Sequence, residues 1–193
     1  MARIDLPDDN KLTPQQRAAR DEVVAGKRGK IPAPMIAWLR NPELARRTQA
    51  LGELLRYDTT LDLRLVELAI LVCARHWTAN VQWSAHKTYA LQAGLDPAII
   101  AAIAANSDPP FIDAGEATVY AVCKSLLAAR RIPDELYSEA TSRLGEQGVV
   151  ELVVLLGYYC IASFTLNTFE IGLPGSVAAE LEDPEFSLPR RSV

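Results

Sequence analysis

Apolar residues recur along most of the chain at the three- and four-residue spacing of amphipathic helices. The segment MIAWLRNPELARRTQALGELLRY is predicted to form a helix with one apolar face, which contains Leu44, Leu51, Leu54 and Leu55. Further helices are predicted for the runs LRLVELAILVCARHW, VQWSAHKTYALQAG, PAIIAAIAAN, AGEATVYAVCKSLLAARR and PDELYSEATSRLG. No run shows the alternation of apolar and polar residues that is typical of a half-buried strand. The sequence therefore predicts an all-α fold.

The predicted helix starts share one signal, a capping side chain followed by proline at the first helical position. This signal occurs at Thr13-Pro14, Asn41-Pro42 and Asp96-Pro97. Thr60 is a further predicted cap, and Asn80 is predicted to cap the helix after that one. Gly26 and Gly94 stand where glycine commonly ends a helix.

The chain of 193 residues is long enough for one domain with a substantial core. We divide it into an N-terminal helical extension over residues 1–58, a helical core over 59–175 and a C-terminal tail over 176–193. The extension and the tail are predicted to flank a single helical domain.

The basic stretch GKRGKIPAP, residues 26–34, contains glycines and prolines that predict a loop. Two interpretations fit this loop. It is either a solvated connector or a cationic element in which Lys27, Arg28 or Lys30 attracts an anionic substrate.

Residues 152–169, LVVLLGYYCIASFTLNTF, carry no charge and approach the length of a membrane span. Glycine, two tyrosines and several hydroxyl and amide side chains interrupt this run, and glutamates rather than lysines or arginines border it. We therefore predict a buried central helix and no contact with a membrane.

The formal net charge of -4 excludes a global basic field that would attract nucleic acid or anionic lipid. A small-molecule or protein partner is favoured instead. The N-terminal residues are acidic and contain no apolar signal region, which predicts a cytoplasmic protein. Cys73, Cys123 and Cys160 lie far apart and form no C-x-x-C pair, so we interpret them as reduced core residues.

The motifs of several enzyme classes are missing from the sequence. It contains no G-x-G-x-x-G, P-loop, G-x-S-x-G or H-E-x-x-H. Two histidines and three dispersed cysteines are also a poor set of metal ligands, so we predict no metal site.

The stretch ELAILVCARHWTANVQWSAH contains the best candidates for chemistry. Glu67 stands in an apolar run, where a carboxylate must be paired or protonated. His86 lies on the next predicted helix, and two such helices packed antiparallel bring the two side chains together. Glu67 would then orient the imidazole and adjust its pKa for proton transfer. In the alternative interpretation, Glu67 is a satisfied core acid and His86 is structural.

Other side chains of this stretch are interpreted from their helical positions. Arg75 lies near the face of Glu67 and is either its ion-pair partner or a clamp for a substrate carboxylate. His76 falls on the opposite face and is interpreted as structural. Trp83 and Tyr89 are expected in the core or in a pocket wall. They are not expected to stack on nucleic-acid bases, because no basic stripe accompanies them.

The segment ELAILVCARHWTANVQWSAHKTYALQAGL, with KRGKIPAP, LLRY and ELVVLLGYY, resembles the carboxymuconolactone decarboxylase family. That family belongs to the superfamily that includes the AhpD-type alkylhydroperoxidases. The resemblance runs from about Lys27 to about Phe169. It implies an AhpD-like helical bundle that assembles into homotrimers or homohexamers, a pocket near the Glu67 and His86 helices that a neighbouring subunit often completes, and no dissociable cofactor.

AhpD-like proteins have a glutamate, a C-x-x-C pair and a histidine, with 19 positions from glutamate to histidine, and Glu67 and His86 keep this separation. Ala79 and Gln82 stand at the two cysteine positions. Disulfide cycling needs two thiols, so the peroxidase chemistry does not transfer to these positions. Decarboxylase-like members often have an acid at the position of Gln82.

On this resemblance we expect a cofactor-independent enzyme of the decarboxylase type, acting on a small anionic lactone or ring-derived acid. His86 would deliver a proton to the substrate and Glu67 would orient His86. The expected substrate-binding side chains are those of Gln82, Trp83, Arg75, Arg56 and Arg28. Two alternatives stay open: an AhpD-like peroxidase or thiol reductant, and a non-catalytic helical oligomer.

Overall fold

The computed structural model describes residues 2–4 and 8–182, and within these ranges it contains helices and no strand. The predicted all-α class is therefore confirmed. A short 3-10 turn, Asp9–Lys11, precedes the helices. The helices are α1 (Pro14–Ala25), α2 (Met35–Trp38), α3 (Pro42–Tyr57), α4 (Leu63–His76), α5 (Asn80–Gln92), α6 (Pro97–Ala104), α7 (Ala114–Ala129) and α8 (Asp134–Thr168). Of the predicted tail, residues 183–193 lie outside the described residues.

Helix α4 occupies the centre of the fold. Every residue from Leu65 to Ala74 is buried, and the helix packs against α3, α5, α6, α7 and α8. Its sequence explains this position, because the run LVELAILVCA has apolar side chains on all sides and a helix of that kind needs neighbours all around. Glu67 is the exception in the run, and it is fully buried with the rest.

Three of the predicted helix caps are confirmed. The side chains of Thr13, Asn41 and Asp96 each accept a hydrogen bond from a backbone N–H in the first turn of α1, α3 and α6. The cap predicted at Thr60 is wrong, since Asp62 caps α4 and accepts from the N–H of Arg64. Asp62 is nearer to the helix than Thr60 and also has a side-chain oxygen that can accept this hydrogen bond. Sequence spacing alone therefore did not show which of the two residues is the cap.

Asn80 does not cap α5, which corrects the second predicted cap of this region. It is the first residue of the helix, and its Oδ1 accepts from the backbone N–H groups of Glu180 and Leu181 at 3.1 and 2.9 Å. Its Nδ2 donates to the Leu181 carbonyl oxygen at 3.0 Å. The side chain therefore fastens a segment one hundred residues away to the start of α5.

Helix α8 changes direction at Gly145, whose φ of 71° and ψ of 165° are not helical. The sequence predicted two helices on either side of this glycine. The later part of α8 has the length and mean hydropathy of a membrane span, the one such helix in the described residues, and half of its most apolar window is buried in the protein.

The leucine face predicted for α3 points outward. Leu44, Leu51 and Leu54 are 50%, 39% and 50% exposed, and of the four leucines only Leu55 is buried. The opposite side faces inward because Gly52 allows the Tyr158 ring of α8 to approach the α3 backbone closely. The helix was predicted correctly, but its buried side was assigned wrongly.

Adding a methyl group at Gly52 is expected to destabilise the protein. An alanine Cβ there would overlap the Tyr158 phenol, so Gly52→Ala should lower the free energy of unfolding by about 1–3 kcal/mol, as overpacking does. The matched control is Gly157→Ala in α8, where a Cβ meets nothing within 4 Å. That change should raise stability by about 0.5–1 kcal/mol, because alanine favours the helix. Urea denaturation measures both, and equal shifts for the two variants would contradict the role given to Gly52.

Candidate active site

Helices α3, α4 and α5 bring three ionisable side chains together in the interior. Glu67, in the second turn of α4, receives a hydrogen bond at Oε2 from His86 Nδ1 on α5, at 2.6 Å. Its Oε1 accepts from Arg56 Nε at 2.9 Å and lies 2.9 Å from Arg56 Nη2. We refer to Arg56, Glu67 and His86 as the buried triad. The predicted approach of Glu67 and His86 is therefore present in the folded chain.

The buried triad determines which protons its members carry. Burial by itself raises the pKa of Glu67, but His86 and Arg56 outweigh burial and bring that pKa below its usual 4.5. Burial lowers the pKa of His86 below 6.5, against the opposing effect of Glu67. At neutral pH the carboxylate is ionised and the imidazole is neutral. An ionised carboxylate only accepts hydrogen bonds, so the His86 proton lies on Nδ1 and Nε2 carries a lone pair.

Arg56 is held by an arrangement that suits a guanidinium group. Its Nη1 donates to Tyr57 Oη at 2.8 Å, and its planar head lies 3.9 Å from the centroid of the Tyr89 ring. Together with the two contacts to Glu67, these interactions occupy all three nitrogens and one face of the plane. A lysine ammonium could not reproduce them. Arg56 is thus committed to neutralising Glu67.

A cavity of about 220 Å³ lies beside His86. A cavity of this size suits a single small ring compound. Most of its wall is apolar or aromatic. This part of the wall includes Trp38, Ala85, Tyr89, Tyr158, Tyr159 and Ala162.

The basic loop between α1 and α2 supplies two cations to the cavity. Arg28 and Lys30 line it, whereas Lys27 pairs with Asp58 at the surface. Arg28 Nη2 donates to the Gly52 carbonyl oxygen at 3.1 Å, and its buried Nε has no partner among the residues that the structure describes. The charge of Arg56 balances that of Glu67. The cavity therefore has a net positive charge, which comes from Arg28 and Lys30.

Tyr89 and Tyr159 complete the surroundings of the imidazole. Burial favours a higher pKa for Tyr89, but Lys30, 5.2 Å from the ring centroid, and Arg56 lower it. The Tyr159 ring meets the His86 ring edge-on with centroids 5.0 Å apart. The buried Tyr159 hydroxyl has no hydrogen-bond partner in the described part of the chain, so it can donate to or accept from a ligand in the cavity.

Gln82 lies on the cavity wall one turn before His86. Its Oε1 accepts from Ser163 Oγ at 3.0 Å, and its Nε2 donates to the Ile70 carbonyl oxygen at 3.4 Å. An amide NH₂ group carries two hydrogens and Ile70 takes one of them. The amide is therefore fixed in orientation and retains a second hydrogen for a ligand.

The structure separates the predicted site residues into two groups. His86, Gln82, Arg56 and Arg28 line the cavity, and Glu67 lies directly behind His86. Trp83 and Arg75 do not belong to this site.

Trp83 lies in the core, one of the two positions expected for it, and its Nε1 donates to Glu180 at 3.3 Å. It does not line the cavity, so the expectation that it binds substrate there is wrong. The ion pair suggested between Arg75 and Glu67 is also wrong. Arg75 donates to Thr78 and to the Glu182 carbonyl oxygen at the far end of α4. Arg56 reaches Glu67 instead because α3 ends beside the second turn of α4, a proximity that spacing along α4 did not reveal.

Two of the tyrosines in the cavity wall lie against the His86 ring, and the sequence placed Tyr89 only in the core or in a pocket wall and did not assign Tyr159 to the site. Tyr89 carries a usable signal, because it follows His86 by three residues and so shares its helical face. Tyr159 comes from α8, and its position in the apolar run ELVVLLGYY provides no signal. Only the packing of α8 against α5 places it at the imidazole.

The fold provides no obvious metal centre in the part of the chain that the structure describes, since His, Cys, Asp and Glu side chains nowhere gather in threes there. Ala79, at the start of α5, and Gln82 provide no thiol near the buried triad. The contact between Glu67 and His86 is present without a cysteine at either of these positions.

No protein-family model and no curated protein matches this sequence. Compared by structure, the chain is similar to the crystal structure of the alkylhydroperoxidase AhpD core, an uncharacterized peroxidase-related protein from Ralstonia eutropha. The TM-score is 0.72 at 15% sequence identity, and the match covers 91% of this chain and 93% of that chain. The fold is therefore AhpD-like. At this identity the similarity concerns the fold and leaves the reaction to be argued from the site.

Proposed function

We propose that the protein is a cofactor-independent enzyme that transfers protons on a small anionic lactone or ring-derived acid, in the manner of a carboxy-lyase. One observation carries the proposal. The neutral imidazole of His86, held at Nδ1 by ionised Glu67, lines a small cavity that also contains Arg28 and Lys30. A proton-transfer group thus lies beside two cations.

The chemistry follows from the two states of the imidazole. Loss of CO₂ breaks a carbon–carbon bond and leaves its electron pair delocalised into the lactone carbonyl. Nε2 of His86 first takes up a proton from water, and the resulting imidazolium, stabilised by Glu67, delivers it to the carbon. The neutral imidazole is restored. The same two steps can move a proton from one carbon of the substrate to another, and in that case His86 takes the proton from the substrate.

Four other side chains have roles in the proposal. Arg28 and Lys30 bind the substrate carboxylate, since Arg28 has a buried nitrogen without a partner among the described residues. The remaining amide hydrogen of Gln82 bonds to the oxygen on which negative charge develops. Arg56 neutralises Glu67 and does not bind substrate.

The presence of an aromatic cavity with cations around His86 also supports an enzyme over a non-catalytic helical oligomer, because a purely structural histidine needs no such cavity. The alternative of an AhpD-like peroxidase at this site loses support, since Ala79 and Gln82 provide no thiol.

The test is a panel of small carboxylated lactones incubated with the protein in D₂O. For a substrate we expect release of CO₂ and one deuterium at the carbon that accepts the proton, both observed by NMR. If none of the panel binds saturably and none exchanges a proton, the proposal is contradicted.

We also propose that the chain assembles into a homotrimer or homohexamer. The exposed leucines of α3 support self-association, because Leu44, Leu51 and Leu54 form an apolar stripe on one side of the helix. A second copy of the chain would cover this stripe.

Breaking the α3 stripe is expected to dissociate the assembly. Leu51→Lys places a charge in the middle of the contact and should convert the oligomer to monomers, as measured by light scattering after size-exclusion chromatography. Tyr137→Lys, at a side chain 48% exposed on α8, is the control and should leave the mass unchanged. A monomeric wild-type protein at micromolar concentration would contradict the proposal.

A further inference from the structure

Two of the three cysteines meet in the folded chain. Cys73 in α4 and Cys160 in α8 are 87 residues apart, yet their Sγ atoms lie 3.7 Å from each other. No short spacing joins the cysteines in the sequence, which by itself predicts three separate thiols in the core. The packing of α4 against α8 makes two of them a pair.

The two thiols have different surroundings. Cys73 is fully buried, whereas Cys160 is partly exposed at the edge of the seam between α4 and α8. Trp77 Nε1 donates a hydrogen bond to Cys160 Sγ at 3.3 Å. Cys160 is therefore the partly exposed member of the pair and its sulfur receives a hydrogen bond, while Cys73 lies beside it in the core.

The charge state of the pair follows the same division. The Cys73 thiol donates to Cys160 and, with Trp77, lowers the pKa of Cys160 to about 7 against the opposing effect of burial. That hydrogen bond and burial raise the pKa of Cys73. A thiolate is the nucleophilic form of cysteine, so Cys160, the partly exposed cysteine, is also the more reactive one.

We propose that Cys160 and Cys73 form a second reactive site, a dithiol that undergoes thiol–disulfide exchange with small-molecule disulfides. Cys160 is the attacking thiol and Cys73 is the resolving thiol. The site is separate from the proton-transfer cavity, because neither cysteine belongs to the lining of that cavity.

The exchange balances in two steps. The Cys160 thiolate attacks one sulfur of the small disulfide, forming a mixed disulfide and releasing the first small thiolate. Cys73 then loses its proton and attacks Cys160 Sγ, so that the bond between the protein and the small molecule breaks and the second small thiolate leaves. The protein dithiol is oxidised to a disulfide, and the small disulfide is reduced to two thiols.

The closing step needs little movement. A disulfide bond is about 2.05 Å long, so the two sulfur atoms, now 3.7 Å apart, must approach by roughly 1.7 Å. Cys123 on α7 is the remaining buried thiol and has no part in the exchange.

The experiment treats the reduced protein with glutathione disulfide and follows the mass of the intact chain. For the wild-type protein we expect the loss of two hydrogen atoms, no retained glutathione and a cross-linked peptide that contains Cys73 and Cys160. Cys73→Ala should stop at the first step and keep one glutathione on Cys160. Cys160→Ala should show no reaction, and the control Cys123→Ala should behave as the wild type.

Other results overturn the proposal. They are a wild-type protein that keeps glutathione, one that does not react, or a Cys73→Ala variant that still forms an internal disulfide. Circular dichroism melting of each variant identifies any that fails to fold. In that case the wild-type mass and peptide map decide, since they need no substitution.

Discussion

Glu67→Gln is expected to lower the free energy of unfolding by about 3–5 kcal/mol, the range found when one partner of a buried ion pair is removed. The change is nearly isosteric, so no cavity contributes. Its effect comes from Arg56, which is 6% exposed and loses the carboxylate that balances its charge. His86 Nδ1 also loses an ionised acceptor. Urea denaturation at neutral pH measures the loss.

A double variant separates the charge effect from general disruption. If the uncompensated guanidinium causes the loss, Arg56→Met combined with Glu67→Gln should recover part of the stability, because no buried charge is then left without a partner. A double variant as unstable as the sum of the two single variants would contradict the coupling of Arg56 and Glu67.

The pH dependence of stability gives a second measurement of the same carboxylate. The pKa of Glu67 is lower in the folded chain than its usual 4.5, so the unfolded chain binds more protons in this range. The contribution of Glu67 to stability is therefore fully present above pH 4.5 and is lost as the pH falls through the lower pKa of the folded chain. Burial of His86, whose pKa lies below 6.5, adds a decline that begins below that pH. The Glu67→Gln variant should lose the carboxylate part of this dependence.

His86→Gln is expected to reduce kcat/KM for a substrate of the lactone panel by roughly 10²–10⁴-fold, the usual contribution of a group that transfers a proton. The reason is that glutamine can keep a hydrogen bond to Glu67 but cannot carry a proton to carbon. The control is His76→Gln, since His76 is exposed at the end of α4 and lies outside the cavity. That variant should stay within a factor of about two of the wild type.

Two results would contradict this role of His86. One is a His86→Gln variant that turns over an identified substrate at the wild-type rate. The other does not need a substrate: nitrogen NMR of the free protein should find the His86 proton on Nδ1, where Glu67 accepts it. A proton on Nε2 would remove the lone pair that the mechanism requires.

Local signals predicted much of the helical framework. The caps at Thr13, Asn41 and Asp96 need only a side-chain oxygen within the first turn, and that geometry is set by residues next to each other in sequence. The central position of α4 follows from apolar residues on all its sides. The approach of Glu67 and His86 also follows from local information, because a short connection forces successive helices to pack together.

The orientation of α3 could not be predicted in the same way. Its leucines are more apolar than the side that faces inward, and hydrophobicity alone therefore selects the wrong side. The inward side is decided by Gly52, which admits the Tyr158 ring, and by Arg56, which reaches Glu67. Both partners come from other helices, so sequence spacing within α3 contains no trace of them.

The sequence by itself determined the helical class and the position of most helices and indicated the Glu67 and His86 pair, because each depends on neighbours in the chain or on adjacent helices. Only the tertiary structure decided that Arg56 neutralises the pair, that Arg28 and Lys30 line the cavity and that Cys73 meets Cys160. These contacts join residues from separate elements. Their energies depend on distance in space, on burial and on charge, which appear only when the helices have packed.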